Sequence, residues 1–293
     1  MEHIILENKQ LIAEIKTKGA ELCRLFSKSF KKEIIWNGNP IFWARHAPVL
    51  FPIVGKVKNN EYEVNGVKYQ LGQHGFARDL NFEIIQQKQN ECTLQLKSSP
   101  ESLTKYPYPF HFQTTFTLTE TGIKTTYQIE NIGESDLHFS LGAHPAFNCP
   151  FSEATDLSDY KITFPQTENS DILILAKSGL ISNERSEFLK NDNQFPLSEK
   201  LFENDALIFD DLKSTSLNIE SEKEKMKLAI SWKNFPHLGI WKPLNAPFIC
   251  IEPWQGMADK ENHDGIFENK FGIICLQKNK VHEANYSVQV LPN

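Results

Sequence analysis

No stretch of this chain approaches the ~18 consecutive apolar residues of a membrane-spanning helix. The first ten residues, Met1 to Gln10, lack the basic start and apolar stretch of a secretory signal. Neither a membrane partner nor export is therefore expected. The five cysteines, Cys23, Cys92, Cys149, Cys250 and Cys275, are odd in number, scattered, and form no CxxC pair. That spacing suits neither a disulfide framework nor a zinc cage, and points to reduced thiols in a cytoplasmic protein. There is no excess of positive charge. Lys and Arg total 31 against 37 Asp and Glu, a net charge of -6. Such a chain has no global attraction for phosphate backbones, so nucleic acid is not an expected partner. Four motifs are missing: the GxSxG nucleophile elbow, the GxGxxG dinucleotide loop, the P-loop and the HExxH zinc helix. The nine histidines offer no metal-ligand spacing stronger than His138 and His144, six residues apart, so no metal or cofactor is expected. Internal repeats, low-complexity tracts and linker-like composition are also missing, which leads to a single domain over residues 1–293.

What the chain does have is alternation of apolar and polar residues with period two. Tyr62, Val64, Val67 and Tyr69 flank Asn65-Gly66, a pair suited to a hairpin turn because both central residues adopt positive φ. Phe112, Phe116 and Leu118 alternate up to a turn at Thr121-Gly122, and Ile123, Tyr127 and Ile129 continue beyond it. Further strands are expected at Cys92–Lys97, Leu137–Ala143, Leu228–Trp232, Leu238–Trp241, Phe248–Glu252, Ile273–Gln277 and Tyr286–Leu291. Helix signals are few: Pro100–Lys105 behind a Ser99 cap, and Ser182–Lys190 as short helix or loop. Asn191–Lys200 and Ser221–Lys227 read as solvated loops or turns. The strand–helix–strand rhythm of a parallel sheet does not occur. The expected fold class is all-β, a large antiparallel β-sandwich or barrel whose core takes up many of the 21 phenylalanines.

Three short constellations carry the polar chemistry. In LHFSLGAHPAFN (Leu137–Asn148), strand alternation puts Leu137, Phe139, Leu141 and Ala143 on one face. His138, Ser140, Gly142 and His144 fall on the other, and Pro145 ends the strand for want of an N–H. His144 thus stands at a strand end, where a cleft can reach it. A hydrogen-bonded structural histidine satisfies the local pattern equally well. In FICIEPWQGMAD (Phe248–Asp259), Glu252 ends an apolar strand on the face of Phe248 and Cys250. Partial burial there raises a carboxyl toward the working pH of a general base, while an ion-paired glutamate at the sheet rim is the plainer alternative. Trp254 is placed to offer a flat face to a ring. In QHGFARD (Gln73–Asp79), His74 and Arg78 share a loop, and Arg78 either forks onto a ligand oxygen or pairs with Asp79. The turn-rich WNGNPIFW (Trp36–Trp43) reads as a packed loop or a cleft lining.

Taken together, the stretches APVLFPIVGKVKNNEY (Ala47–Tyr62), QHGFARD, GAHPAFN (Gly142–Asn148), NDALIF (Asn204–Phe209) and CIEPWQGMAD (Cys250–Asp259) resemble the aldose 1-epimerase, galactose mutarotase-like superfamily. The resemblance is strongest to its bacterial branch of lactose-operon X proteins. The segments occur in the family's order and span most of the chain. The resemblance implies a supersandwich with a sugar cleft on one sheet. It implies His144 as the acid that protonates the ring oxygen, and Glu252 as the base that takes the C1 hydroxyl proton. It further implies His74, Arg78 and Asp205 as substrate-binding residues. One position departs from the family: an arginine of the better-known galactose mutarotases aligns with Asn60, and Lys56, Lys58 or Arg78 is left to replace it. The implied activity is interconversion of the anomers of a free aldohexose. The alternatives are a hexose-6-phosphate mutarotase and a non-catalytic sugar-binding module. The implied partner is a monosaccharide, phosphorylated or not, and the implied assembly a monomer or homodimer.

Overall fold

A computed structural model describes residues 2–293. With 52% of residues in strands and 7% in helices, the chain is all-β, as expected. A four-stranded antiparallel sheet comes first, from His3–Glu7, Leu11–Lys16, Glu21–Ser27 and Lys32–Glu33. A fifteen-stranded antiparallel sheet follows. Its path begins Val49–Leu50, Leu141–Ala143, Phe248–Gln255, His237–Trp241, Leu207–Phe209, and ends Gly122–Asn131, Phe110–Leu118, Glu91–Lys97, Glu83–Gln87. The two ends of this path meet. Phe51, just beyond the first strand, has its ring centroid 4.9 Å from Phe110 and 5.1 Å from Phe112. The sheet therefore folds back on itself into facing layers, the sandwich that period-two burial requires. Phe110–Leu118 alternates strictly between buried and half-buried residues, and the shared core runs from Ile4 to Val290.

The Asn65-Gly66 hairpin forms, with φ of 50° and 78° at its two turn residues and Tyr62 opposite Tyr69. The short helix is Pro100–Leu103, capped by Ser99, whose Oγ accepts a 3.2 Å hydrogen bond from the Ser102 N–H. Two expectations are corrected. Ser182–Lys190 is neither helix nor loop, and Asn191–Pro196 is not loop. Both belong to the strand Ile181–Pro196, which pairs with Lys161–Leu175. Most of that strand is exposed, so its side chains carry no apolar alternation. The backbone ladder holds it, and that leaves no trace in residue type. Leu137–Ala143 is not one strand either. It divides at Ser140 into Leu137–Phe139, paired with Ile274–Leu276, and Leu141–Ala143, paired with Phe248–Gln255 and Val49–Leu50. The Ser140 N–H donates instead to the Pro52 carbonyl at 2.7 Å. Among the described residues, no helix is long and apolar enough to cross a membrane.

Candidate active site

The central strand Phe248–Gln255 is buried on both faces. Ile249 and Ile251 point into the large core, while Phe248 and Cys250 join a smaller cluster with Trp36, so the alternation expected for this strand holds. On one side this strand pairs with two successive strands, with Gly142 across from Trp254 and Ala146 across from Cys250. Both pairings belong to one register, and that register puts His144 directly across from Glu252. Between these pairings the Ile251 N–H still donates to the Pro145 carbonyl at 3.2 Å, but the return bond is missing because Pro145 has no N–H. Residues directly opposite in an antiparallel pair project to the same face. The acid and base candidates, 108 positions apart in sequence, thus meet by strand register. His144 Nε2 lies 3.2 Å from Glu252 Oε2, with side chains only 9% and 2% exposed. The approach is a close contact off the line of a hydrogen bond, since Glu252 Oε2 has no hydrogen-bond partner among the described residues.

On its other side Glu252 pairs with Gly239. A methyl group built at Gly239 would stand 2.5 Å from the Trp254 ring, and one at Gly142 would stand 2.8 Å from it. Trp254 therefore lies buried across two glycines. It still lines the cleft, but at 6% exposure it offers a sugar little open face. The flat faces belong to Trp43 and Trp241. Trp43 stacks on the His144 imidazole at 4.8 Å and 24°, and Trp241 meets that ring edge-on at 5.7 Å.

His144, Glu252 and both tryptophans line a cleft of about 790 Å³. His74, Arg78 and Asp205 line it too, so the structure brings all five expected site residues together. His74 has a φ of 65° and is held by backbone hydrogen bonding: its N–H donates to the Gly55 carbonyl at 2.7 Å. The Gly55 N–H donates back to His74 Nδ1 at 3.1 Å. With Nδ1 accepting, the ring hydrogen of neutral His74 sits on Nε2. Asp205 is exposed at the rim and turns its Oδ1 onto the Ala206 N–H at 2.8 Å. Of the substitutes considered for the arginine missing at Asn60, Lys56 lines the cleft and Lys58 does not, its Nζ donating to the His263 carbonyl at 3.3 Å. Arg45 was not anticipated. It lies on the cleft wall, with one guanidinium nitrogen 2.9 Å from Asp79 Oδ1. Nothing in its local sequence marks it, because its role depends on how the Trp43–Ala47 segment packs beside the Gln73–Asp79 loop. His138 does not join His144; its strand belongs to the separate sheet with Ile274–Leu276, and its ring packs against Tyr108.

Burial governs the protonation of this floor. It pulls the His144 imidazolium down to about 3, with Arg78 and Arg45 adding repulsion. It pushes the Glu252 carboxyl well above the usual carboxylate range, helped by the charge of Asp205 and opposed by the Trp254 indole. His74 is driven well below the ordinary histidine value by burial and by neighbouring His144 and Arg78. The Arg78 guanidinium, largely desolvated and facing Arg45, falls to about 10. Over a wide pH range, then, His144 and Glu252 together hold a single proton. Such a pair can donate at one atom and accept at the other without changing its net charge. Of the groups near it, Cys250 completes a trio with His144 and Glu252 whose donor atoms lie within 4.8 Å of one another.

Comparison with known proteins decides the family. The aldose 1-epimerase family model matches residues 2–265. The chain belongs to the aldose 1-epimerase family. It is 32% identical to the plasmid-encoded and chromosomal forms of Protein LacX of Lactococcus lactis, covering 98% of this chain and 99% of each relative. Its fold superimposes on a galactose mutarotase related enzyme from Lactobacillus acidophilus with a TM-score of 0.94 and 32% identity, covering 99% of this chain and 97% of the other. A galactose mutarotase-like protein from Lactobacillus casei gives a TM-score of 0.93 at 28% identity, covering 99% and 100%. The fold is thus galactose mutarotase-like, and membership of the family supports a mutarotase-like function on a sugar.

Proposed function

We propose that the protein is an aldose 1-epimerase that interconverts the α and β anomers of a free aldohexose, with His144 as general acid and Glu252 as general base. The observation that carries this reading is the 3.2 Å approach of His144 Nε2 to Glu252 Oε2 at the floor of the cleft. Anomerisation opens a hemiacetal and recloses it on the other face. Opening requires the C1 hydroxyl to lose a proton and the ring oxygen to gain one. Those two oxygens share one carbon, and an acid and a base this close can each reach one of them. Glu252 takes the hydroxyl proton while His144 gives its own to the ring oxygen. At rest burial keeps the pair's one proton on Glu252; it passes to His144 to begin the step, and after the step it is again on Glu252. Rotation about C1–C2 and the reverse transfers complete the turnover. No charge is created on the buried pair as a whole, which suits a site from which water is excluded. Each proton-transfer group typically contributes roughly 10²–10⁴-fold.

His74, with its hydrogen on Nε2, supplies a donor to a sugar oxygen. Asp205 supplies an acceptor for hydroxyls at the rim. Trp43 and Trp241 offer the flat apolar faces that sugar rings pack on. A second reading has its own observation. Arg45 and Arg78 share the single carboxylate of Asp79, and Lys56, lining the same cleft, is among the described residues bound only to the Ser178 carbonyl at 3.3 Å. This uncompensated positive wall fits a phosphorylated aldohexose.

The test is saturation-transfer NMR or polarimetry on freshly dissolved α-sugars, comparing glucose, galactose and glucose 6-phosphate. Acceleration over buffer that Glu252→Gln abolishes is the expected result. A rate equal to buffer on all three sugars, with sugar still bound, would make the protein a binding module. Preference for glucose 6-phosphate that Arg78→Ala removes selects the second reading.

A further inference from the structure

We propose that the cleft floor is also a binding site for a thiophilic divalent cation of the zinc class, held by His144, Cys250 and Glu252, and that the cation excludes the sugar. The exclusion rests on the catalytic reading above; the binding does not. Cys250 lies two residues before Glu252 on the same strand and the same face. His144 is directly across the ladder. All three side chains are buried, and one donor atom from each lies within 4.8 Å of the others. The proton transfers proposed above leave Cys250 unused, and its packing with Trp36 and Phe248 does not by itself require a thiol.

Zinc prefers four ligands in a tetrahedron drawn from thiolate, imidazole and carboxylate. Three protein ligands and one open position are its usual arrangement where a small molecule must reach it. The 3.2 Å between His144 Nε2 and Glu252 Oε2 already suits two such ligands. The Cys250 sulfur closes the third position by side-chain rotation. His144 and Glu252 line the cleft while Cys250 lies behind them, so the fourth position faces the cleft, where the sugar's C1 hydroxyl would stand. The unpartnered Glu252 Oε2 supplies a ready oxygen. On binding, the thiol and carboxyl protons leave to solvent, and thiolate plus carboxylate neutralise the dication. That is the one charge state a buried site tolerates.

Cobalt(II) is the probe, because thiolate-bound tetrahedral cobalt absorbs intensely in the near ultraviolet. The full-length protein is titrated with Co²⁺ and then back-titrated with Zn²⁺. One thiolate–cobalt band per chain, displaced by Zn²⁺, is expected in the wild type. It should survive in Cys23→Ala, which removes the other such trio among the described residues, His3, Glu14 and Cys23. It should vanish in Cys250→Ala. Mutarotation by Cys250→Ala should match the wild type, while the Zn²⁺ concentration for half inhibition rises at least tenfold, the loss that removal of even an outer partner can cause. Should Cys250→Ala fold poorly by circular dichroism, Cys250→Ser provides the same comparison. Absence of the band, its survival in Cys250→Ala or Cys250→Ser, or unchanged zinc sensitivity overturns the proposal. A wild type that binds Co²⁺ at Cys250 but never anomerises a sugar overturns the catalytic reading and leaves the metal site standing.

Discussion

On the floor of the cleft, His144 and Glu252 face each other across adjacent strands, nearly free of solvent, and burial drives both toward their neutral forms. At the rim, on loops and a short 3₁₀ turn, Arg45 and Asp79 keep their charges in contact with water, while Arg78 beside them is largely desolvated. The floor is positioned by a hydrogen-bonded ladder whose register puts one specific residue opposite another. The rim is positioned by loop packing and by exposed ion pairs worth no more than ~1 kcal/mol each. Proton transfer needs the first kind of precision and a dry environment. Recognition of a substituent on the sugar tolerates the second kind, and its charges can be altered without disturbing the chemistry beneath.

The comparison breaks most directly at the floor. Glu252→Gln and His144→Gln should each lower the enzymatic mutarotation rate by roughly 10²–10⁴-fold. Because the two groups pass one proton between them, the double variant should be hardly slower than either single one; additive losses would mean that they act separately. Glu252→Gln should also leave the fold intact. A carboxyl whose folded-state pKa is raised stabilises fully only below its unfolded value, ~4.3. The contribution fades as pH climbs toward the folded value, so the wild type carries a cost at neutral pH that the amide lacks. Thermal unfolding at pH 5 and pH 8 should show the variant gaining on the wild type at the higher pH.

The pH–rate profile probes the same pair. Activity should fall on the acid side only near the His144 value of about 3, where the pair takes a second proton and loses its base. On the alkaline side it should fall as Glu252 gives up its proton and leaves no acid, and between these limits the rate should stay flat. A bell centred on an ordinary histidine pKa would contradict the shared-proton floor. At the rim the expected effects are smaller and fall on binding. Arg78→Ala should raise KM for glucose 6-phosphate about tenfold, equivalent to ~1.4 kcal/mol, with kcat unchanged and glucose unaffected. Added salt should weaken the phosphorylated sugar alone. Smallest is Trp43→Leu, which removes the stack on His144 and should lower kcat/KM about two- to fivefold, in keeping with ~0.5–1 kcal/mol for a ring stack.

Much of the fold and part of the site could be read without coordinates. The Asn65-Gly66 hairpin, the strands around Phe112 and Tyr127, and the apolar strand leading to Glu252 all formed where their alternation placed them, because one face of each is buried. The pairing of Lys161–Leu175 with Ile181–Pro196 was hidden, since a ladder exposed to water demands no particular side chains. Trp43 lines the cleft, one of the two readings open for Trp36–Trp43, but Arg45 and Trp241 were equally hidden as cleft residues. Their neighbours in sequence are not their neighbours in the cleft.

For His144 and Glu252, local pattern defined two polar residues at the ends of apolar strands, each with a structural explanation available. Residue type and alternation alone determined that much, because they report which face of a strand avoids water. That the two residues stand opposite each other was decided by tertiary structure. The ladder takes up Gly142–Trp254 and Ala146–Cys250 on either side of Pro145, and strand register depends on partners more than a hundred residues away. The same register set Cys250 beside them and turned Trp254 inward over Gly142 and Gly239, which no local reading of those residues contains.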